Sequence, residues 1–137
     1  MSINLEKGDY IEIPYEDDYV GEEVTELKRS VCIGLGWDPN EGTGYDFDLD
    51  ASAFLLGSDR QILDQPYFVF YGNLKSPDGA VMSSGDDQTG GSSDGDDETL
   101  TVDFGKVDDR VEEIVIVVSI YDGETRRQDF GKVRNSY

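Results

Sequence analysis

The chain has 137 residues, with 31 acidic and 11 basic side chains and no histidine, so its formal charge near neutrality is −20. Scattered bases under that charge exclude a nucleic-acid-binding surface, which needs clustered Lys and Arg, and anionic membranes repel such a chain. Without histidine there is no Ser-His-Asp or Cys-His device, and one cysteine excludes an intrachain disulfide or a Cys-rich zinc site, which leaves carboxylate and carbonyl oxygen for chemistry.

The first residues, Met1-Ser2-Ile3-Asn4-Leu5-Glu6-Lys7, lack the apolar stretch of a secretion signal. No apolar run approaches the roughly 18 residues of a membrane span. Both observations lead to the expectation of a soluble, cytoplasmic protein with no direct membrane insertion. High net charge invites a disordered reading, but six Phe, eight Tyr and one Trp spread among Gly-rich and Asp-rich breaks read as short strands separated by turns.

In chain order, strands are predicted over 10–13, 24–35, 46–56, 67–71, 80–83, 99–104 and 111–121. Cys32, inside the run Val31-Cys32-Ile33, is expected to be a small core hydrophobe. In Thr99-Leu100-Thr101-Val102-Asp103-Phe104 the apolar residues alternate, the period of a sheet with one buried face. The nearly unbroken apolar run over 114–120 reads instead as a central strand buried on both faces. One short helix fits 122–129. Many strands and almost no helix predict an all-β fold, a two-sheet β-sandwich with long acidic loops and at most one short helix, built as one domain over 1–137. The Gly/Ser/Asp-rich segment 83–98 has the composition of a linker. It lies between two strand signals, where a long loop is uncommon unless it carries function.

Acid is concentrated in two places. Asp38, Glu41, Asp46, Asp48 and Asp50 form one cluster and Asp86, Asp87, Asp94, Asp96, Asp97 and Glu98 the other, and neither stretch contains a base. In Asp46-Phe47-Asp48-Leu49-Asp50-Ala51-Ser52-Ala53-Phe54, period 2 places three aspartates on one strand face, about 7 Å apart, and Phe47, Leu49, Ala51 and Ala53 on the other. Asp is a poor strand residue, and three stacked carboxylates repel one another. With no local Lys or Arg, a hard divalent cation would offset the repulsion. Ca²⁺, which takes six to eight oxygens, fits better than Mg²⁺, which keeps several waters. The EF-hand pattern fails: starting at Asp46, Ala51 falls where glycine is needed and Gly57 where the bidentate Glu belongs. Taken alone, the second cluster reads equally well as a solvated acidic loop.

The motifs Gly34-Leu35-Gly36-Trp37-Asp38, Asp46 to Leu56, Phe68-Val69-Phe70-Tyr71-Gly72-Asn73, Gly85-Asp86-Asp87-Gln88-Thr89-Gly90, Asp94-Gly95-Asp96-Asp97-Glu98 and Gln128-Asp129-Phe130-Gly131-Lys132-Val133-Arg134-Asn135, in this order, closely resemble the TerD family of tellurium-resistance and general stress proteins. The chain departs from that family in ending at Tyr137, before the family's C-terminal strands, and in carrying Asp87 where Asn is usual. The resemblance implies a β-sandwich that binds Ca²⁺, two ions in all, and acts without catalysis in a stress response. Its implied partners are other proteins of a stress-response complex, including membrane-associated ones. Carried over to this chain, the implied ligands are Asp46, Asp48, Asp50, Asn73, Asp86, Asp87, Thr89, Asp94, Asp96, Asp97 and Glu98. Trp37 and Phe54 are expected in the core or the wall of the site, and Asn73 can equally be a turn residue.

The first expected function is a Ca²⁺-dependent interaction module. The alternatives are a metal-dependent phosphoesterase and a Ca²⁺-bridged binder of anionic lipid or a small ligand.

Overall fold

The computed structural model describes residues 30–91 and 95–137. The predicted strand over 10–13 and the first part of that over 24–35 lie outside these residues, as does Asp94. Among the described residues six strands are formed: β1 (Ser30–Leu35), β2 (Leu49–Leu56), β3 (Phe68–Val69), β4 (Val81–Ser83), β5 (Glu98–Asp103) and β6 (Glu113–Ile120). One helix, α1 (Gly123–Arg126), and three single 3-10 turns complete the set. The helix is one turn long and lies inside the predicted 122–129 window. At both of its ends the backbone is left-handed, at Asp122 (φ 52°) and Arg127 (φ 54°), which confines it to that turn.

All strand pairs are antiparallel, in two three-stranded sheets of order β1-β5-β4 and β3-β2-β6. Alternation along each strand makes one face of each sheet apolar, and the two faces meet in one core. Leu35, Val81, Leu100 and Val102 come from the first sheet, and Ala51, Ala53, Leu55 and Val69 from the second. Burying each leucine side chain contributes roughly 1.5–3 kcal/mol. The expected phase over 99–104 holds, since Leu100 and Val102 are buried between half-buried threonines.

Two expectations fail. Cys32 is exposed rather than in the core. Its neighbours Val31 and Ile33 pack on the core, so strand geometry turns the residue between them outward. Strand β6 is not buried on both faces. Only alternate residues, Ile114, Ile116 and Ile120, join the core, while Val117 and Val118 are exposed. Among the described residues β6 pairs only with β2. Its unbroken apolar run therefore marks β-propensity rather than two-sided burial.

The outer face of the second sheet carries an aromatic row. Phe54 stacks on Phe68 with centroids 4.4 Å apart, Phe68 on Phe70 at 4.6 Å, and Tyr71 and Tyr121 extend the row edge to face.

Strand β3 is short, and it opposes β2 only at Ala53 and Phe54. The first half of β2 thus has β6 on one side and, among the described residues, no strand on the other. That open edge positions the site.

Candidate metal centre

Two contacts fix the chain where it enters β2. The Trp37 indole Nε1–H donates to the Phe47 carbonyl at 2.9 Å, and the Tyr121 N–H donates to the Asp48 carbonyl at 2.8 Å. Regular strand begins only at Leu49. Asp48 and Asp50 nevertheless keep the expected phase, sharing one side while Phe47, Leu49 and Ala51 point into the core. Asp46 does not keep it. It lies outside the strand, is exposed, and offers its backbone carbonyl to Gln128 Nε2 at 3.1 Å.

At the open edge of β2 the Ala51 N–H faces no strand backbone carbonyl among the described residues, and Glu98 Oε2 accepts it at 2.9 Å. The other Glu98 oxygen accepts the Asp87 N–H at 3.2 Å. This buried carboxylate, 3% exposed, therefore ties the acidic loop to the sheet. Within the loop Asp87 Oδ1 accepts the N–H groups of Thr89 (2.9 Å) and Gly90 (3.0 Å) and the Thr89 hydroxyl (3.2 Å), forming a tight turn. Gly90, with φ +66°, lies so close to the Trp37 indole that a Cβ there would collide with it.

The turn returns Asp86 to β2. Asp48, Asp50 and Asp86 each present an oxygen, and the three oxygens lie within 4.8 Å of one another. Oxygens within that limit can all be ligands of one Ca²⁺ at 2.3–2.6 Å. Asp48 and Asp50 are only 7% and 8% exposed. Asp48 Oδ1 is buried with no hydrogen-bond partner among the described residues, a costly state for a carboxylate oxygen.

The electrostatics follow. Burial, and then the Asp48 and Asp86 charges, push Asp50 from the ordinary 3.8 up to about 6. Glu98 rises from 4.5 to about 7, chiefly by burial, against the lowering effect of the Ala51 and Asp87 N–H groups. Asp48 is also raised, by burial first and then by Asp86, with Arg126 opposing. Arg126, from α1, is the base that the sequence pattern did not provide. Its Nη1 lies 3.9 Å from Asp48 Oδ2.

The remaining predicted ligands divide. Asp87 and Thr89 build the loop turn beside the cluster. The Asp97 carboxylate accepts the Trp37 backbone N–H at 2.8 Å. Asp96 lies against Gly34 and Tyr137. Asn73 is not brought to the cluster. Its Nδ2 donates to the carbonyls of Phe68 (2.7 Å) and Pro66 (3.0 Å), and its backbone closes a turn with Phe70. Trp37 is buried at the wall of the site, and Phe54 is half-buried in the outer aromatic row.

Comparison with known proteins shows the family of the chain. The TerD domain family matches residues 1–137. The tellurium resistance protein TerD of Alcaligenes sp is 41% identical over 137 residues, covering 100% of this chain and 67% of that protein. General stress protein 16U of Bacillus subtilis (strain 168) is 36% identical over 138 residues, with the same 100% and 67% coverage. A crystal structure of a protein of unknown function has the same fold, with a TM-score of 0.66 at 26% identity over 79% of this chain and 62% of that one. The chain thus spans about two-thirds of the length of these relatives. A family match from the first residue to the last, with relatives above 30% identity along the whole chain, means that the chain belongs to the TerD family.

Proposed function

We propose that this chain is a non-enzymatic, Ca²⁺-binding module of a cytoplasmic stress response of the tellurium-resistance type. The observation that carries the reading is the buried, unpartnered Asp48 Oδ1 within a group of three carboxylates spaced for one divalent ion. The names of the relatives, a tellurium resistance protein and a general stress protein, support the biological setting. Among the described residues no helix is long and apolar enough to cross a membrane.

The cation would neutralise Asp48 and Asp50 on the sheet and Asp86 on the loop at once. Because these ligands come from different elements, binding fastens the loop 84–91 to β2 and presents one ordered surface to a protein partner. Ca²⁺ is favoured over Mg²⁺ because it accepts a flexible set of six to eight oxygens, including carbonyls that a Gly-rich loop can turn inward.

The test combines ion counting by native mass spectrometry with thermal melts in EGTA and in excess Ca²⁺. A ligand at 100 times its Kd, bound by the folded state alone, stabilises by about 2.7 kcal/mol, so Tm should rise clearly with Ca²⁺. Superimposable melts with no bound ion would overturn the proposal.

A further inference from the structure

We propose that Arg126 is the resident counter-charge of this site, a cation of the chain's own that a divalent ion must displace from Asp48, so that Arg126 sets how tightly the ion is held. The inference rests on the cation-binding reading above and concerns how that site is regulated.

The geometry points to displacement rather than to a fixed structural bond. At 3.9 Å the Arg126 guanidinium is within ion-pair range of Asp48 Oδ2 but beyond hydrogen-bond range. It favours the ionised form of Asp48 without donating a hydrogen bond to it, and Asp48 Oδ1 has no hydrogen-bond partner among the described residues. Among the described residues this is the one ion pair made by any of Asp48, Asp50, Asp86 and Glu98. The other contacts of the guanidinium are with two aromatic faces, inside cation–π range, and with one more carboxylate. It lies over the Tyr45 ring at 5.1 Å and the Tyr121 ring at 5.3 Å, and its Nε is 4.0 Å from Asp122.

Arg126 also has somewhere to go. Its side chain, 20% exposed, borders a cavity of about 310 Å³ whose wall includes Asp38, Glu41, Tyr45 and Gln128 as well as the bases Lys132 and Arg134. A doubly charged ion between Asp48, Asp50 and Asp86 repels the guanidinium and takes over its carboxylate. The side chain can then move along the two tyrosine rings toward Asp38, whose carboxylate accepts from the neutral Asn135 amide, Glu41 being already paired with Arg134 at 2.6 Å. Each ion bound therefore costs one Arg126–Asp48 contact, and the chain carries its own competitor against weak or dilute cations.

The experiment is a calorimetric Ca²⁺ titration of the wild-type chain, Arg126→Met and Arg126→Lys. Methionine keeps an unbranched stem of similar length against the tyrosines but removes the charge, whereas lysine keeps the charge. Arg126→Met should bind Ca²⁺ about tenfold more tightly than wild type, a typical size for coupling between neighbouring sites. Arg126→Lys should stay near wild type. A purely packing role would weaken both variants.

If the wild type binds and Arg126→Met binds no more tightly, the inference falls while the cation site stands. If wild type and both variants bind no Ca²⁺, both fall. Should Arg126→Met fail to fold, the Nε–Hε resonance of Arg126 in the wild type, assigned by its loss in Arg126→Lys, must shift on Ca²⁺ saturation. An unmoved resonance overturns displacement.

Discussion

Two groups of close-set carboxylates behave in opposite ways. At one, Asp78 and Asp108 are saturated with donors. Asp78 accepts the Ser76 hydroxyl (2.6 Å) and the N–H groups of Ala80 and Asp108 (both 2.9 Å). Asp108 accepts the Tyr67 hydroxyl (2.9 Å), the Arg110 N–H (3.0 Å) and two guanidinium nitrogens of Arg110 (2.9 and 2.7 Å). The Arg110 bonds hold the Asp108 carboxyl well below the ordinary carboxylate range. At the other, Asp48, Asp50 and Asp86 face one another with one distant guanidinium, and Asp50 is pushed up to about 6. Acid content therefore says little about a cation site. What separates the two is whether the chain has already supplied the positive ends.

The sharpest way to break this contrast is to remove a carboxylate from each group. Asp50→Asn should weaken Ca²⁺ on the order of 100-fold, since the site depends on carboxylate charge, while leaving the metal-free chain at least as stable through loss of repulsion. Calorimetry and EGTA melts check the two halves. Retained affinity would mean that the cluster is not the site.

A smaller effect is expected at the saturated group. Asp108→Asn strips acceptors from Tyr67 and Arg110 and should lower Tm equally with and without Ca²⁺, keeping the Ca²⁺ affinity within about twofold, as for sites with no shared partners. A Ca²⁺-dependent loss would join the two regions and erase the distinction between them.

The gentlest probe is pH. Asp50 and Glu98 titrate higher in the folded chain than their ordinary 3.8 and 4.5. Their contribution is therefore fully present below those values and is lost as pH rises through about 6 and about 7. Metal-free protein should gain stability on acidification from pH 7.5 to 5.5. With saturating Ca²⁺ the trend should reverse, because protons then compete with the ion. The donor-held Asp108 moves the other way, losing its contribution only in more acidic solution. Melts across pH with and without EGTA separate these slopes.

Much of the architecture could be read from residue patterns. Alternation in β5, the valine- and isoleucine-rich stretch of β6 and the Asp-Gly turns around β4 place those strands within a few residues. The phasing of Asp48 with Asp50 also survives, because a two-residue period depends only on local backbone. What could not be read depends on distant chain. Asp46 lies exposed ahead of β2, its carbonyl held by Gln128 from far along the chain. Glu98 could be recognised as an acid near a strand start but not as the acceptor of the Ala51 N–H. The stretches around both acidic clusters contain no base, yet α1 delivers Arg126 from far along the chain. The order Arg126-Arg127-Gln128 shows which bases are available but not which carboxylate one of them meets. Cys32 was misread because an apolar triplet does not reveal which member of an alternating strand points outward.

The position of Trp37 has a practical consequence. It is the chain's one tryptophan. Its indole N–H is bonded to the carbonyl just before Asp48, its backbone N–H to the Asp97 carboxylate, and its ring touches the loop at Gly90. The entry to β2, the far arm of the acidic loop and its central turn thus converge on one intrinsic fluorophore, whose emission can be followed without any label.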